Sequence, residues 1–294
     1  MADDPIGEAA GGRGSDQVRS GFAALVGRPN VGKSTLLNAI LGTKVSIVSD
    51  KPQTTRTRVV GVLNGPDSQV VFVDTPGFHK PRGPLGRHLN ETAVDAAGGV
   101  DVVVQVVDAA GGIGRGDRYV AATLSPGMVV VNKIDVVGRD AVLPTLAEAA
   151  ELGVPDPWPL SARTGQGVPE LVAALRERMH PGPRYYPEDT VTDVPEAFWV
   201  AELVREQLLA VTREEVPHSI ACRVTEWEWP RVRCEILVER ESQKGIVIGR
   251  GGAVLKEVGT AVRAQLPAGA YVELFVKVDR DWARDRRRLE LLGY

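Results

Sequence analysis

Short apolar runs alternate with longer amphipathic stretches through residues 21–180. The runs at 22–26, 57–63, 69–74, 100–108, 128–132 and 158–161 are rich in Val and predict strands. Val102-Val103-Val104 is apolar at consecutive positions, as expected of a strand covered on both faces by helices. This alternation predicts an α/β architecture, a mostly parallel sheet covered by helices, with ligands at the C-terminal ends of its strands. Pro181-Gly182-Pro183, Tyr185-Tyr186-Pro187 and Pro195 then break the pattern, and 181–195 reads as a linker. From Glu196 the periods change. Residues 198–211 predict a helix, and 219–226 and 231–239 alternate as strands about a short turn at Trp229-Pro230. A helix at 253–265, a strand at 271–278 and a charged helix at 281–292 complete a smaller α+β domain over 196–294. Residues 1–20 are rich in Gly, Ala and Asp, lack the apolar core of a signal peptide and read as a disordered tail.

The polar residues at the strand ends carry the chemistry. Gly27-Arg28-Pro29-Asn30-Val31-Gly32-Lys33-Ser34 lies between the first strand and a helix at 34–41. Its glycines let backbone N–H groups turn toward anionic oxygens, Lys33 reaches the β- and γ-phosphates, and Ser34 supplies a magnesium ligand. Thr35 continues into the helix, whose positive end faces the phosphates. Asp74-Thr75-Pro76-Gly77 ends a buried strand; its carboxylate suits a magnesium-bound water and the Gly77 N–H suits a γ-phosphate. Asn132-Lys133-Ile134-Asp135 ends another strand. The Asp135 carboxylate accepts two hydrogen bonds from guanine N1–H and its exocyclic amine, a pair that adenine lacks. Ser161-Ala162 follows the last strand and offers backbone N–H groups to the base. The polar stretch 51–58 reads as a solvated loop in which a Thr hydroxyl, Thr55 in preference to Thr54, completes the Mg²⁺ shell when a γ-phosphate is present.

Together these motifs resemble a GTPase of the translation-factor-related class. Ras-type enzymes orient the attacking water with a Gln after the Asp-x-x-Gly; this chain has Phe78, which cannot. Arg56 and Arg58 are candidate arginine fingers, though each reads by default as solvated loop charge. Asn30 resembles the Asn that in some GTPases holds a K⁺ ion against the phosphates, so slow, K⁺-stimulated hydrolysis is expected. The catalytic set on this reading is Lys33, Thr55, Asp74, Gly77 and Asn30.

A second signal lies in Gln243-Lys244-Gly245-Ile246-Val247-Ile248-Gly249-Arg250-Gly251-Gly252, followed by a helix bearing Lys256. A Gly-x-x-Gly between two helices beside an apolar groove has the texture of a KH-like (type II) RNA-binding module. Lys244, Arg250 and Lys256 are placed for phosphates, and Ile248, Gly249, Gly251 and Gly252 for the RNA backbone and bases. Residues 196–294 carry sixteen basic and sixteen acidic residues, so recognition relies on a local face rather than bulk attraction.

Composition narrows the picture in three ways. The net charge of −3 argues against wholesale electrostatic binding of nucleic acid or acidic lipid. Cys222 and Cys234 are the only cysteines; they suit a reducing cytoplasm and small core positions rather than disulfides or metal. His79, His88, His180 and His218 do not cluster as metal ligands and read as loop or surface residues.

With Gln53-Thr54-Thr55-Arg56, Asp74-Thr75-Pro76-Gly77-Phe78-His79, Val238-Glu239-Arg240-Glu241-Ser242-Gln243-Lys244 and Leu292-Gly293-Tyr294, the chain resembles the Era family of bacterial ribosome-assembly GTPases. The resemblance implies GTP and GDP as ligands and Mg²⁺ as cofactor. It implies binding to 16S rRNA near its 3′ end, a switch role in 16S rRNA processing and 30S subunit assembly, and a cytoplasmic monomer with partial peripheral association at the inner membrane face. In this family Lys is frequent where this chain has Arg250. Two rivals are a non-catalytic RNA-binding protein with a structural nucleotide, and a tRNA-modifying enzyme with a GTPase module; the second calls for a reactive Cys or a cofactor domain.

Overall fold

A computed structural model describes residues 18–79, 81, 83–214 and 216–294. Most of the tail predicted at 1–20 therefore lies outside the described residues. Its last three residues do not: Val18 O accepts from Gly182 N, and β1 (Arg19–Val26) already includes Arg19 and Ser20, because Ser20 pairs with His180 and is buried.

The larger sheet contains β1, β2 (Val59–Asn64), β3 (Ser68–Asp74), β4 (Val102–Asp108), β5 (Met128–Asn132), β6 (Trp158–Pro159) and β7 (His180–Pro181). Its order is β2-β3-β1-β4-β5-β6, with β7 alongside β1. All neighbouring pairs are parallel except β2 with β3 and β7 with β1. The mostly parallel sheet expected from the apolar runs is the one observed. β2 starts two residues later than its run suggested because Thr55 and Arg56, just before it, are tied elsewhere. β6 is only two residues long, since Leu160 and Ser161 already turn into the site.

Helices α1 (Lys33–Leu41), α2 (Gly83–Ala97), α3 (Arg115–Leu124), α4 (Arg139–Ala150) and α5 (Val168–Arg178) cover the sheet. One face buries Leu25, Leu36, Phe72, Val104, Val130 and Leu171 in a single cluster. The other carries Ala24, Val26, Phe78 and Ala93. α2 carries Leu85, Leu89 and Ala93 at helical spacing, and all three are buried.

Parallel pairing aligns the strand ends. Leu25 lies opposite Asp74, Val26 opposite Gln105, and Asp108 opposite Asn132. Every strand-end motif is thereby brought to one edge of the sheet, beside β1, where the strand order reverses.

The stretch read as a linker is strapped to this sheet. Val62 N donates to Val191 O at 2.8 Å, Thr192 Oγ1 to Val60 O at 2.7 Å, and Asn64 Nδ2 to Thr190 O at 2.9 Å. Gln69, fully buried, donates from Nε2 to Asn64 Oδ1 and Tyr186 O, and its Oε1 accepts from Tyr185 N and Tyr186 N.

The remaining chain forms α6 (Glu196–Val211), β8 (Ile220–Glu228), β9 (Arg231–Val238), α7 (Glu241–Ile248), α8 (Ala253–Arg263), β10 (Tyr271–Val278) and α9 (Arg286–Leu291). The sheet order is β10-β9-β8, with β10 parallel and β8 antiparallel to β9. A Val-, Ile- and Leu-rich core including Cys222 and Cys234 joins it to α6, α7 and α8. The charged helix expected at 281–292 is shorter: turns fill 281–284, and Asp285 then caps α9 by accepting from Arg287 N and Arg288 N. Trp282, within those turns, is fully buried.

Gln69→Leu removes the single acceptor shared by the Tyr185 and Tyr186 N–H groups. The expected loss is about 2–4 kcal/mol of unfolding free energy, measurable by urea denaturation.

Candidate functional site

The phosphate loop turns sharply between β1 and α1. Gly32 sits at φ 97°, and a Cβ there would lie 2.3 Å from Asn132 Nδ2, so only glycine fits. Asn132 explains that proximity. Its Nδ2 donates to Val31 O at 2.9 Å, and its Oδ1 accepts from Lys133 N and Ala162 N. One amide thus joins the phosphate loop, the residues that follow β5 and those that follow β6. Lys133 adds a second strut, with Nζ 2.6 Å from Asn30 O and 2.7 Å from Asp108 Oδ2.

Lys33 is buried, and its Nζ donates to the loop carbonyls of Gly27 and Arg28. Burial lowers its pKa to about 8, against the opposing pull of Asp74. The Arg28 side chain leaves the site and pairs with buried Asp117 at 2.8 Å, so only its backbone faces the phosphate region. Pro29 packs against Gly77: a Cβ on Gly77 would lie 2.8 Å from the Pro29 Cα and N atoms. Phe78 is buried in the core, with its N–H donating to Gly27 O at 3.0 Å, and Thr75 Oγ1 donates to Leu25 O. Pro76 lies between these two anchored residues, and Thr35 lines the phosphate cavity.

Asp74 is the electrostatic centre of this region. It is fully buried, and Ser34 Oγ at 2.6 Å, Ser46 Oγ at 3.0 Å and Thr55 Oγ1 at 3.4 Å all donate to its Oδ2. Ser34 Oγ and Thr55 Oγ1 are 2.9 Å apart. Burial pushes the Asp74 carboxyl pKa up, and Lys33 and the hydroxyls oppose that rise. Asp74 Oδ1 is buried without a hydrogen-bond partner. A converging set of hard oxygens with one buried anionic oxygen unmatched fits a magnesium ion. The neighbouring Thr54 instead donates to Lys51 O. Ser46 carries no motif spacing and escapes sequence reasoning; Asp108 had a readable signal, a carboxylate ending an apolar strand.

The loop 51–58 is not the solvated segment expected. Thr55 and Arg56 are buried, and Arg56 points away from the phosphate region. Its Nη1 donates to Ile220 O at 2.6 Å, and its guanidinium lies 5.3 Å from the Trp282 ring centroid and 5.4 Å from that of Tyr294. Asn30, at φ 64°, donates from Nδ2 to Asp50 O at 2.6 Å.

At the far end of the crevice, Asp135 Oδ1 accepts from Ser161 Oγ at 2.6 Å, and exposed Arg163 lies 2.7 Å from Oδ2. The Ser161 bond, aided by Arg163, holds the Asp135 carboxyl below the usual range despite partial desolvation, so it stays an acceptor. Ile134 N donates to Leu160 O, tying this segment to the end of β6.

A family model described as 50S ribosome-binding GTPase matches residues 22–133, and a KH-domain model matches residues 215–283. The GTPase Era of Carboxydothermus hydrogenoformans is 48% identical over 281 residues, covering 90% of this chain and 94% of that protein. The GTPase Era of Synechocystis sp. is 45% identical over 291 residues, covering 94% and 92%. The chain belongs to the Era GTPase family. Its fold agrees: a crystal structure of an Aquifex aeolicus Era variant bound to GDP and AlF₄⁻ superposes with a TM-score of 0.90 at 39% identity, covering 94% of this chain and 99% of that one. A crystal structure of Era with MgGDPNP and nucleotides 1506–1542 of 16S ribosomal RNA superposes equally well.

The Era-type KH fold sets α7 and α8 on either side of the turn 249–252. Gly249 has φ 73°, and a Cβ there would lie 2.6 Å from Val254 Cγ2, so the turn packs tightly on α8. Gly251 and Gly252 have nothing within 4 Å of a built Cβ, which leaves their side of the turn open. Arg250 and Lys256 are exposed, and Lys244 and Ile248 half-buried. Trp227 and Trp229 stack with centroids 6.0 Å apart on the β8–β9 hairpin and remain partly exposed. Cys222 is buried, and burial pushes its thiol pKa well up, opposite to an activated nucleophile. Among the described residues no group of three or more His, Cys, Asp or Glu could hold a metal ion.

On the reading of Asp135 as the guanine acceptor, Asp135→Asn places a donor where the guanine amine needs an acceptor. GTP affinity is expected to fall at least ~100-fold, with binding recovered for xanthosine triphosphate, whose 2-oxo group accepts; competition against a fluorescent nucleotide measures both.

Proposed function

We propose that this chain is a GTP-hydrolysing, RNA-binding switch that recognises 16S rRNA near its 3′ end and acts in 16S rRNA processing and 30S subunit assembly. Residues 21–180 form its nucleotide-binding unit and 196–294 its RNA-binding unit. The observation that carries this reading is the convergence of Ser34, Thr55 and Asp74 at the strand-end edge that also holds Asp135, in a chain whose second domain carries an open Gly-x-x-Gly turn. The family's structural relative with MgGDPNP and a 16S fragment supports the ligand assignments.

On this reading Asp135 accepts from guanine N1–H and the exocyclic amine, while Ser161 and Ala162 line the base. Backbone N–H groups from Gly27 to Thr35 and the Lys33 ammonium hold the phosphates. Ser34, Thr55 and Asp74 would hold Mg²⁺, which when bound draws charge from the β- and γ-phosphate oxygens. The Gly77 N–H meets the γ-phosphate. Water attacks that phosphorus and the bond to the β-phosphate oxygen breaks, giving GDP and phosphate. Phe78, packed into the core, orients no water, and Arg56, committed to the other domain, is no finger. This leaves charge neutralisation as the main source of rate, and K⁺ is its proposed supplement. The Asn30 amide already spends its N–H on Asp50 O, so its oxygen remains an acceptor for a cation, next to a loop carbonyl.

Lys244, Arg250 and Lys256 meet RNA phosphates while the turn 249–252 lets the backbone pass and Ile248 borders the base groove. We take the protein to act as a cytoplasmic monomer. Association with the inner membrane face rests on the family likeness alone; among the described residues no helix is long and apolar enough to cross a membrane.

Three measurements test this reading. Single-turnover hydrolysis should be at least ~10-fold faster in KCl than in NaCl, and Asn30→Ala should abolish the difference; equal rates in wild type would remove K⁺ from the mechanism. Gly77→Ala, which forces a methyl onto Pro29, should cut turnover at least ~10-fold while GDP still binds. Binding to a 16S 3′-end oligonucleotide should weaken ~10- to 100-fold in Arg250→Glu/Lys256→Glu, and its absence in wild type would overturn the rRNA assignment.

A further inference from the structure

Four successive residues of the loop before β2 are each held by a different part of the molecule. Gln53 Nε2 lies 2.9 Å from His79 Nε2, whose other ring nitrogen lies 3.0 Å from Gly77 O. Thr54 O accepts from Arg205 of α6, which is itself buried and paired with Glu202. Thr55 Oγ1 meets Ser34 and Asp74. Arg56 enters the second domain.

Both terminal nitrogens of Arg56 are engaged in its socket, while Nε is buried without a partner. The residue is 1% exposed. Its guanidinium donates to Ile220 O at 2.6 Å, His218 O at 3.3 Å and Pro217 O at 3.4 Å. The rings of Trp282 and Tyr294, both buried, lie beside it at cation–π distance. Withdrawing the guanidinium would leave three carbonyls and two ring faces without their cation. A guanidinium so enclosed has few alternative positions, and consecutive Cα atoms are fixed about 3.8 Å apart. Thr55 therefore cannot travel far from Ser34 and Asp74 while Arg56 stays in its socket.

We propose that Arg56 is a positioning residue for the triphosphate–metal site. The second domain grips the guanidinium and so keeps the Thr55 hydroxyl among the oxygens that would hold Mg²⁺. Metal coordination is thus completed by a domain that contributes no ligand of its own. By linkage, filling the metal site with a triphosphate tightens the grip on Arg56, and loosening the socket weakens that filling by the same factor. This rests on the reading of Ser34, Thr55 and Asp74 as the magnesium-holding set, in which Thr55 matters only when a γ-phosphate is present.

The test is equilibrium binding of a fluorescent non-hydrolysable GTP analogue and of fluorescent GDP to the full chain, each titrated with Mg²⁺. Arg56→Ala is expected to raise the Mg²⁺ concentration for half-maximal analogue binding about tenfold or more, with GDP binding within about twofold of wild type. Tyr294→Leu, on the far side of the socket, shifts the analogue in the same direction by less. Arg56→Lys recovers part of the loss, because one ammonium cannot serve three carbonyls and two rings at once. If Arg56→Ala leaves the analogue's Mg²⁺ requirement unchanged while Thr55→Ala raises it, the positioning role is overturned and the metal set stands. If Thr55→Ala also changes nothing, the metal set falls and the proposal with it. A parallel loss of GDP and analogue binding in Arg56→Ala would mark the residue as fold support only and overturn the proposal too.

Discussion

The buried Asp74 carboxylate is the constraint around which the rest is arranged. A carboxylate with no exposure is costly unless hydroxyls or cations converge on it. Here they come from three places in the chain: Ser34 at the start of α1, Ser46 in the loop after it, and Thr55 in the loop before β2. Meeting that demand draws the chain between α1 and β2 over the phosphate loop. The same placement leaves Asp74 Oδ1 unmatched, so the solution is complete for folding and incomplete for charge. A divalent cation is the natural remainder.

The second domain enters through the residue next to Thr55. Arg56, Lys44 with Glu206, and Arg205 with Thr54 all connect the loop between α1 and β2 to the second half of the chain. The Lys44–Glu206 pair joins an exposed ammonium to a buried carboxylate, which also accepts from Val48 N. The enclosed Arg56 is of another kind, because removing one side of a buried polar cluster leaves the other uncompensated. The phosphate-loop domain and the KH domain are therefore joined at the loop that carries Thr55. The strapping of residues 190–192 to β2 fixes the point at which the chain crosses between them.

Most of the fold was readable as pattern. The apolar runs of β1, β3, β4 and β5 are long enough to be recognised, and their burial on both faces follows from helices on either side. Helix α2 escaped because Gly83-Pro84 and a polar surface mask its buried positions, of which Leu85 and Leu89 pack against the second domain. The end of the chain was misjudged for a related reason. Trp282 reads as one more residue of a charged helix, yet it is buried against Leu85, Leu89 and Tyr294, a contact no local period encodes.

The sequence alone determined the chemistry: a phosphate loop, a strand-end Asp-x-x-Gly, a guanine-reading Asn-Lys-x-Asp and a Gly-x-x-Gly turn. Each is a short segment whose residue types follow from the hydrogen bonds and charges its ligand demands. Tertiary structure decided the rest. It selected Thr55 rather than Thr54 for the oxygen cluster, turned Arg28 outward to Asp117, and took Arg56 out of the solvent into another domain. Such choices depend on what stands across the gap when distant segments pack. A guanidinium's partner 164 residues away leaves no trace in the residues beside it.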